Sequence, residues 1–183
     1  MAIQFIDLCS GIGGFHSGLM ATGHFMCVGH AEIDQNAAKA YKAIYGEEGG
    51  LNYGDLREIE PENLPDFDLL CAGFPCQSFS VAGRRLGFQD TRGTVFFEIA
   101  RIIAEKRPPF LLLENVPGLL SHDGGRTLTA IFSTLVEIAS GSEEAIETLM
   151  ASSISFLTSA GVTPCSFAIC RIMRFKFIIT PQK

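Results

Sequence analysis

The sequence predicts a doubly wound, mostly parallel α/β sheet, and three observations lead to that fold. Short apolar runs alternate with stretches of helical periodicity over residues 3–138, the pattern of strands and crossover helices. The runs Ile3–Leu8, Phe25–Ala31 and Phe110–Leu113 are almost wholly apolar, as strands covered on both faces are. The glycine-rich or functional-looking residues, Cys9 to Gly14, Glu32, Asp55, Cys76 and Glu114, each follow the carboxyl end of a run. Ligands of doubly wound sheets bind along that edge.

In chain order, Ile3–Leu8 is the first strand and Cys9-Ser-Gly-Ile-Gly-Gly14 a glycine-rich turn. Phe15 to Thr22 reads as a helix ended by Gly23, and Phe25–Ala31 as a second strand closed by Glu32. Asp34 caps a helix that runs to Tyr45 and stops at Gly46. Asn52 to Leu56 is a short edge strand or turn. Asp68 to Ala72 is the strand that opens, after Gly73, into a loop carrying Pro75, Cys76 and Gln77 and rich in Gly, Ser and Arg. Thr94 to Lys106 places Phe97, Ile99, Ile102 and Ile103 at helical spacing, and Pro108-Pro109 ends it. Phe110–Leu113 leads to Glu114-Asn115, and Thr127 to Ile138 is a further helix. From Ser140 the character changes. Residues 148–170 carry no charge, are rich in Ser and Thr, and are broken by Gly161 and Pro164, which argues against a membrane span. Arg174 to Thr180 has strand character. The expected division is therefore one domain over 1–139 and a divergent or non-homologous tail over 140–183.

The bulk composition suits this plan. A chain of 183 residues, 47% apolar and 19% charged, is long enough for a real core and too apolar for disorder. Its net charge of -6 gives no global attraction for nucleic acid, so such binding must come from a local basic patch. Six cysteines fall at irregular spacings, without a Cys-x-x-Cys pair or a zinc-like Cys/His cluster, so no metal is expected. The chain enters its first strand without a basic or apolar leader. Free thiols in a reducing cytoplasm follow.

Gly11, Gly13 and Gly14 allow the backbone to approach a ligand and aim amides at it. Glu32 lies 19 positions after Gly13, near the spacing at which an acid meets ribose hydroxyls. His16 stands where a dinucleotide fingerprint needs its third glycine. This disfavours an NAD-dependent dehydrogenase and favours a nucleoside without pyrophosphate, such as S-adenosylmethionine; the alternative is an ordinary tight turn. Asp55 either accepts from an adenine amino group or serves as a plain turn aspartate. Cys76 follows Pro75, which fixes the local backbone. Its reactive form is the thiolate, which needs a partly exposed, electropositive setting; Arg84, Arg85 and Arg92 can contribute to one. Cys9, Cys27, Cys71, Cys165 and Cys170 read as small core residues.

The motifs now become specific. Gly73-Phe74-Pro75-Cys76-Gln77-Ser78-Phe79-Ser80 resembles the catalytic motif of DNA cytosine-5 methyltransferases of the bacterial restriction-modification type. Asp7-Leu-Cys-Ser-Gly-Ile-Gly-Gly14 is similar to that family's cofactor loop, and Glu114-Asn115-Val116 to its second catalytic motif. Asp90-Thr-Arg-Gly-Thr94 and Ser121-His122-Asp123 also match. The resemblance covers residues 3–138 with the motifs in family order.

This resemblance implies the S-adenosylmethionine-dependent methyltransferase fold, C-terminally truncated, with S-adenosylmethionine as cofactor and double-stranded DNA as partner. Cys76 would attack C6 of a flipped cytosine and Glu114 engage its N3 and amino group. Pro75, Gln77 and Asn115 complete the implied catalytic set. Asp7, Gly11, Gly13, Gly14, Glu32, Asp55, Phe74 and Val116 would surround the cofactor. Ser80, Arg84, Arg85 and Arg92 would contact DNA.

The chain departs from the family pattern in two ways. Cys9 stands where an aromatic ring usually lies near the adenine, a role open to Phe15 or another ring. The family's Gln-x-Arg-x-Arg motif, target-recognition region and final helix are missing, and Pro181-Gln182-Lys183 matches only the start of the arginine motif. A second polypeptide supplying the recognition half is one expectation, and an incompetent fragment another. A tRNA cytosine-5 methyltransferase of the same architecture is disfavoured, because that group tends to have Pro-Pro-Cys-Gln where this chain has Gly73-Phe74 before Pro75.

Overall fold

In the computed structural model, residues 2–75, 95–140, 168–170 and 175–179 are described. Among the described residues, seven strands form one sheet in the order β3-β2-β1-β4-β5-β7-β6. They are β1 (Ile3–Leu8), β2 (Phe25–Ala31), β3 (Leu51–Asn52), β4 (Leu69–Gly73), β5 (Phe110–Asn115), β6 (Ala168–Cys170) and β7 (Phe175–Ile179). Every neighbouring pair is parallel except β6 with β7. The chain starts at β1 in mid-sheet, winds outward to β3, then returns to lay β4 and β5 on the other side. Two chain directions therefore diverge between β1 and β4, and a crevice opens at their carboxyl ends.

Side-chain alternation explains the two layers. Phe5, Leu69, Cys71, Phe110 and Leu112 pack with Phe15, Leu19 and Met20 of α1 (Gly14–Met20). Their immediate neighbours Ile6, Leu70, Ala72, Leu111 and Leu113 face the other way. They meet Phe96, Ile99 and Ile103 of α3 (Val95–Lys106) and Ile131 and Leu135 of α5 (Arg126–Ser140). Both faces are covered, which is why the runs carry so few polar residues. Each large side chain buried from α3 contributes roughly 1.5–3 kcal/mol.

The expected helix signals act as read. Asp34 caps α2 (Gln35–Tyr45), accepting from the amides of Asn36 and Ala37 at 2.9 and 2.8 Å. Gly46 closes that helix with positive φ, and α3 stops before Pro108-Pro109. The edge strand expected near Asn52 is only two residues long; the chain then turns through a 3-10 segment, Leu56–Glu58. Sequence reading missed the short α4 (Gly118–Ser121) and the 3-10 turn His122–Gly125 after it. The strand expected within Arg174 to Thr180 is β7, and it lies parallel beside β5. Among the described residues no helix is long and apolar enough to cross a membrane.

Candidate functional site

The glycine-rich turn leaves β1 through Cys9 (φ 54°), Gly11 (φ 55°) and Gly13 (φ 91°), three left-handed positions that fold it tightly. It is tied down at each step. The Ser10 amide donates to the Ala31 carbonyl at 3.1 Å, and the Gly13 amide to the Ser10 carbonyl at 2.8 Å. The Gly11 amide donates to Glu32 Oε2 at 2.8 Å, while Glu32 Oε1 accepts from the Asp34 amide at 2.7 Å. One carboxylate thus joins the turn after β1 to the start of α2. Each of its oxygens keeps acceptor capacity for a further donor.

Asn52 extends the same wiring. Its Oδ1 accepts from the Glu32 and Gly54 amides at 3.1 and 2.9 Å, and its Nδ2 donates to the Glu32 carbonyl at 3.2 Å. This sets the turn carrying Asp55 beside Glu32. Asp55 itself caps Leu56–Glu58 and accepts from Arg57 Nε at 2.9 and 3.0 Å. Those bonds hold its carboxyl below the usual carboxylate range. Both expected roles of Asp55 remain compatible with this geometry, since it is a turn aspartate and it also faces a cleft.

That cleft has a volume of about 460 Å3, within the size range of small-molecule sites. Glu32, Asp55 and Pro75 line it. Cys9, Ala31, Ile33, Gly54, Leu56, Arg57, Gly73, Val95 and Glu98 line it as well. Ile33, 64% exposed, offers an apolar wall next to Glu32, the one signal in sequence being its place after that acid. Phe15 packs partly buried against the core, its Cε2 3.9 Å from where a Cβ on Gly73 would lie. Phe74 is buried against Phe96, with ring centres 5.3 Å apart; it braces the cleft without lining it.

Asp7, at the end of β1, is fully buried, and among the described residues neither its carboxylate oxygens nor Ser10 Oγ makes a hydrogen bond of normal geometry. Burial pushes the Asp7 pKa up to about 8, offset in part by the His16 backbone amide and reinforced by the charge of Glu32. Cys9 is pushed up to about 12 by burial and by the Glu32 and Asp7 carboxylates. Burial also raises Cys27 and Cys71. Cys27 and Cys71 are buried in the core, whereas Cys9 is half-buried and lines the cleft. Among the described residues no cluster of His, Cys, Asp or Glu is arranged to hold a metal ion.

Across the crevice, β4 and β5 bring Gly73 and Glu114 into register. A Cβ on Gly73 would lie 3.3 Å from the Glu114 carboxylate, so the carboxylate rests over bare backbone two residues before Pro75. Asn115 Nδ2 donates to the Phe74 carbonyl at 2.6 Å, and its Oδ1 accepts from the Val116 amide at 2.9 Å. A buried amide side chain therefore pins the end of β4 to the end of β5. Val116 is held there and is not among the cleft-lining residues. Cys76, Gln77, Ser80, Arg84, Arg85 and Arg92 lie outside the described residues.

Fold and cleft together define an α/β domain of the methyltransferase type, with an open cleft at the carboxyl edge of its sheet. The model of C-5 cytosine-specific DNA methylases matches residues 3–152, and the chain belongs to that family. It is 53% identical over 135 residues to the type II methyltransferase M1.ScrFI of Lactococcus lactis subsp. cremoris, covering 74% of this chain and 34% of that protein. To M.HhaI of Haemophilus parahaemolyticus it is 44% identical over 136 residues, covering 74% and 40%. The chain thus spans about a third of the length of the curated relatives it matches. The crystal structure of S. pombe Dnmt2 methyltransferase shares the fold, with a TM-score of 0.55 and 20% identity over 72% of this chain and 40% of that one.

Proposed function

We propose that this chain is the cofactor-binding and catalytic part of a cytoplasmic DNA cytosine-5 methyltransferase of a restriction-modification system, using S-adenosylmethionine. The observation that carries the reading is the placement of Glu114 over Gly73, at the strand end from which the chain proceeds to Pro75 and Cys76. The residues on the other side fit the cofactor. Glu32 retains acceptor capacity for ribose hydroxyls, Asp55 faces the same cleft, and Ile33 offers an apolar surface to a base. Asp7, buried at the end of β1, anchors the start of the same turn from below.

S-Adenosylmethionine, when bound, supplies an electrophilic methyl group for carbon 5 of the cytosine. The chain's own work is to make that carbon nucleophilic. The Cys76 thiolate bonds to C6 of a cytosine turned out of the duplex, and the C5–C6 π pair shifts toward C5. Glu114, engaging N3 and the exocyclic amino group, stabilises the ring charge that this shift creates. Asn115 holds the Phe74 carbonyl, and so the approach of the chain to Cys76, against the strand that carries Glu114. After methylation the C5 proton leaves, its bonding pair restores the C5–C6 double bond, and Cys76 departs as thiolate. Gln77 completes the catalytic segment. Gly11, Gly13, Gly14, Phe74 and Val116 shape the cofactor side, and Ser80, Arg84, Arg85 and Arg92 face phosphates.

The chain spans about a third of the length of its relatives, so a polypeptide carrying the target-recognition region is included in the test. The test is transfer of a labelled methyl group to duplex DNA and to tRNA, with the chain alone and with such a polypeptide added. Label in DNA that is lost in Cys76→Ser supports the reading. Label in tRNA alone would reverse the substrate. A folded chain that transfers nothing even when complemented would make it an incompetent fragment.

A further inference from the structure

The glycine-rich turn rests on an aromatic stack that the proposed chemistry does not use. His30 of β2 stacks on Tyr41 of α2, with centroids 3.8 Å apart and planes at 18°. Tyr41 meets His16 of α1 edge-on at 5.5 Å, and His16 stacks on Tyr45 at 3.9 Å. The hydroxyl of Tyr45 then donates to the Gly13 carbonyl at 2.7 Å. Having given its only proton, that oxygen accepts from Ser17 Oγ at 2.9 Å, so the chain of donation runs from Ser17 through Tyr45 to Gly13. The ring lies so close that a Cβ on Gly13 would come within 2.3 Å of it.

Gly13 is also the N-cap of α1, in left-handed conformation and with no side chain to cap it. Its carbonyl accepts the Ser17 amide at 2.9 Å as well. The β2–α2 unit therefore grips the turn at two points. Glu32, at the start of the unit, holds the Gly11 amide; Tyr45, at its end, holds the Gly13 carbonyl. Tyr45 is not among the residues that line the cleft, so it acts through the turn and not on the ligand.

We propose that Tyr45 is a positioning residue for the cofactor: its hydroxyl, bonded to the Gly13 carbonyl, fixes the glycine-rich turn relative to Glu32 before the nucleoside arrives. This rests on the reading of the cleft as the S-adenosylmethionine site. Loss of the hydroxyl releases one end of the turn while leaving the ring in its stack. The consequence falls on cofactor affinity and not on the stability of the free protein.

The experiment is calorimetric titration of the chain with S-adenosylmethionine, comparing wild type, Tyr45→Phe and Ser17→Ala, with the melting temperature of each cofactor-free protein. Tyr45→Phe is expected to weaken binding about threefold to tenfold, the range for one hydrogen bond, with its melting temperature close to wild type. Ser17→Ala removes the donor that polarises and orients the Tyr45 hydroxyl, weakening its bond to Gly13, and is expected to cost about twofold to threefold. Wild-type affinity in Tyr45→Phe would overturn the proposal while leaving the cofactor reading intact. A loss of affinity matched by a parallel fall in melting temperature would also overturn it, because the hydroxyl would then be merely structural. If Tyr45→Phe does not fold, unchanged affinity in Ser17→Ala overturns the proposal and the expected loss supports it. A folded wild type that binds no S-adenosylmethionine would remove the cofactor reading itself, and the proposal with it.

Discussion

On the β1–β2 side of the crevice, polar side chains reach backbone groups far away in sequence. Glu32 holds Gly11, Asn52 joins Glu32 to Gly54, and Tyr45 holds Gly13. On the β4–β5 side, strand register and bare backbone place Glu114 against Gly73, and Asn115 is the tie between the strand ends. The first arrangement is already assembled to receive a ligand. The second sets Glu114, the proposed catalytic carboxylate, beside the strand end from which the chain continues to Cys76, the proposed nucleophile. The difference teaches that substitutions on the first side act through affinity and stability, and those on the second through chemistry.

The largest expected effect comes from Gly13→Ala. The added methyl group meets the Tyr45 ring at 2.3 Å, at a φ of 91°, so the ring must move and the backbone is strained. Together these cost about 3 kcal/mol or more. Calorimetry should show cofactor affinity falling by about 100-fold, alongside a melting temperature lower by about 6–12 °C. A tolerated alanine here would break the claim that this side is assembled in advance.

Asp7→Asn sharpens the claim through pH. The folded Asp7 pKa, about 8, lies above its ordinary value of 3.8, so the native state keeps a proton that the unfolded chain has released. This contribution to stability is complete below pH 3.8 and is lost as pH rises to about 8. Asp7→Asn should therefore gain most over wild type near pH 8–9, by on the order of 3 kcal/mol, and the difference should shrink toward pH 4. The buried His16 and His30, lowered chiefly by burial, act in the opposite sense. They keep their contribution above their ordinary value near 6.5 and lose it as pH falls through the lowered folded values. Thermal melts from pH 4 to 9 check both slopes.

Gly73→Ala probes the other side. A Cβ 3.3 Å from the Glu114 carboxylate displaces it by a few tenths of an ångström, and misplacement of a catalytic group on that scale costs about tenfold in rate. Methyl transfer should fall by that factor while affinity for S-adenosylmethionine, since Gly73 also lines the cleft, falls by no more than about twofold. Equal losses in both would blur the distinction between the two sides. The smallest effect is expected from Arg57→Ala. The Arg57 side chain is 68% exposed, and an exposed ion pair contributes little, so cofactor affinity at physiological salt should change by less than about twofold.

The sequence exposes the sheet because its strands are buried on both faces and its helices carry local stop signals such as Asp34, Gly46 and Pro108. It shows the turn, Glu32 and Glu114 through their positions at strand ends. It does not show what joins them. Tyr45 lies 32 residues from Gly13, and nothing in its spacing marks the contact. Asp55 reads as a bare acid until Arg57 is seen folded back onto it. The Gly118–Gly125 segment escaped because α4 is a single turn and Asp123 adopts a left-handed conformation, leaving no periodicity to detect. The parallel seat of β7 beside β5 depends on pairing across more than 60 residues, which a local apolar pattern cannot specify.

The most direct measurement of the central claim is covalent capture on duplex DNA carrying 5-fluorocytosine, read as the mass of the protein–DNA adduct. In that substrate the C5 proton is replaced by fluorine, so Cys76 cannot be released after methyl transfer. The expected result, with the complementing polypeptide present, is an adduct through Cys76 that requires S-adenosylmethionine and disappears in Cys76→Ser. An adduct that persists in Cys76→Ser, or none at all from a complemented protein that binds the cofactor, would contradict the account.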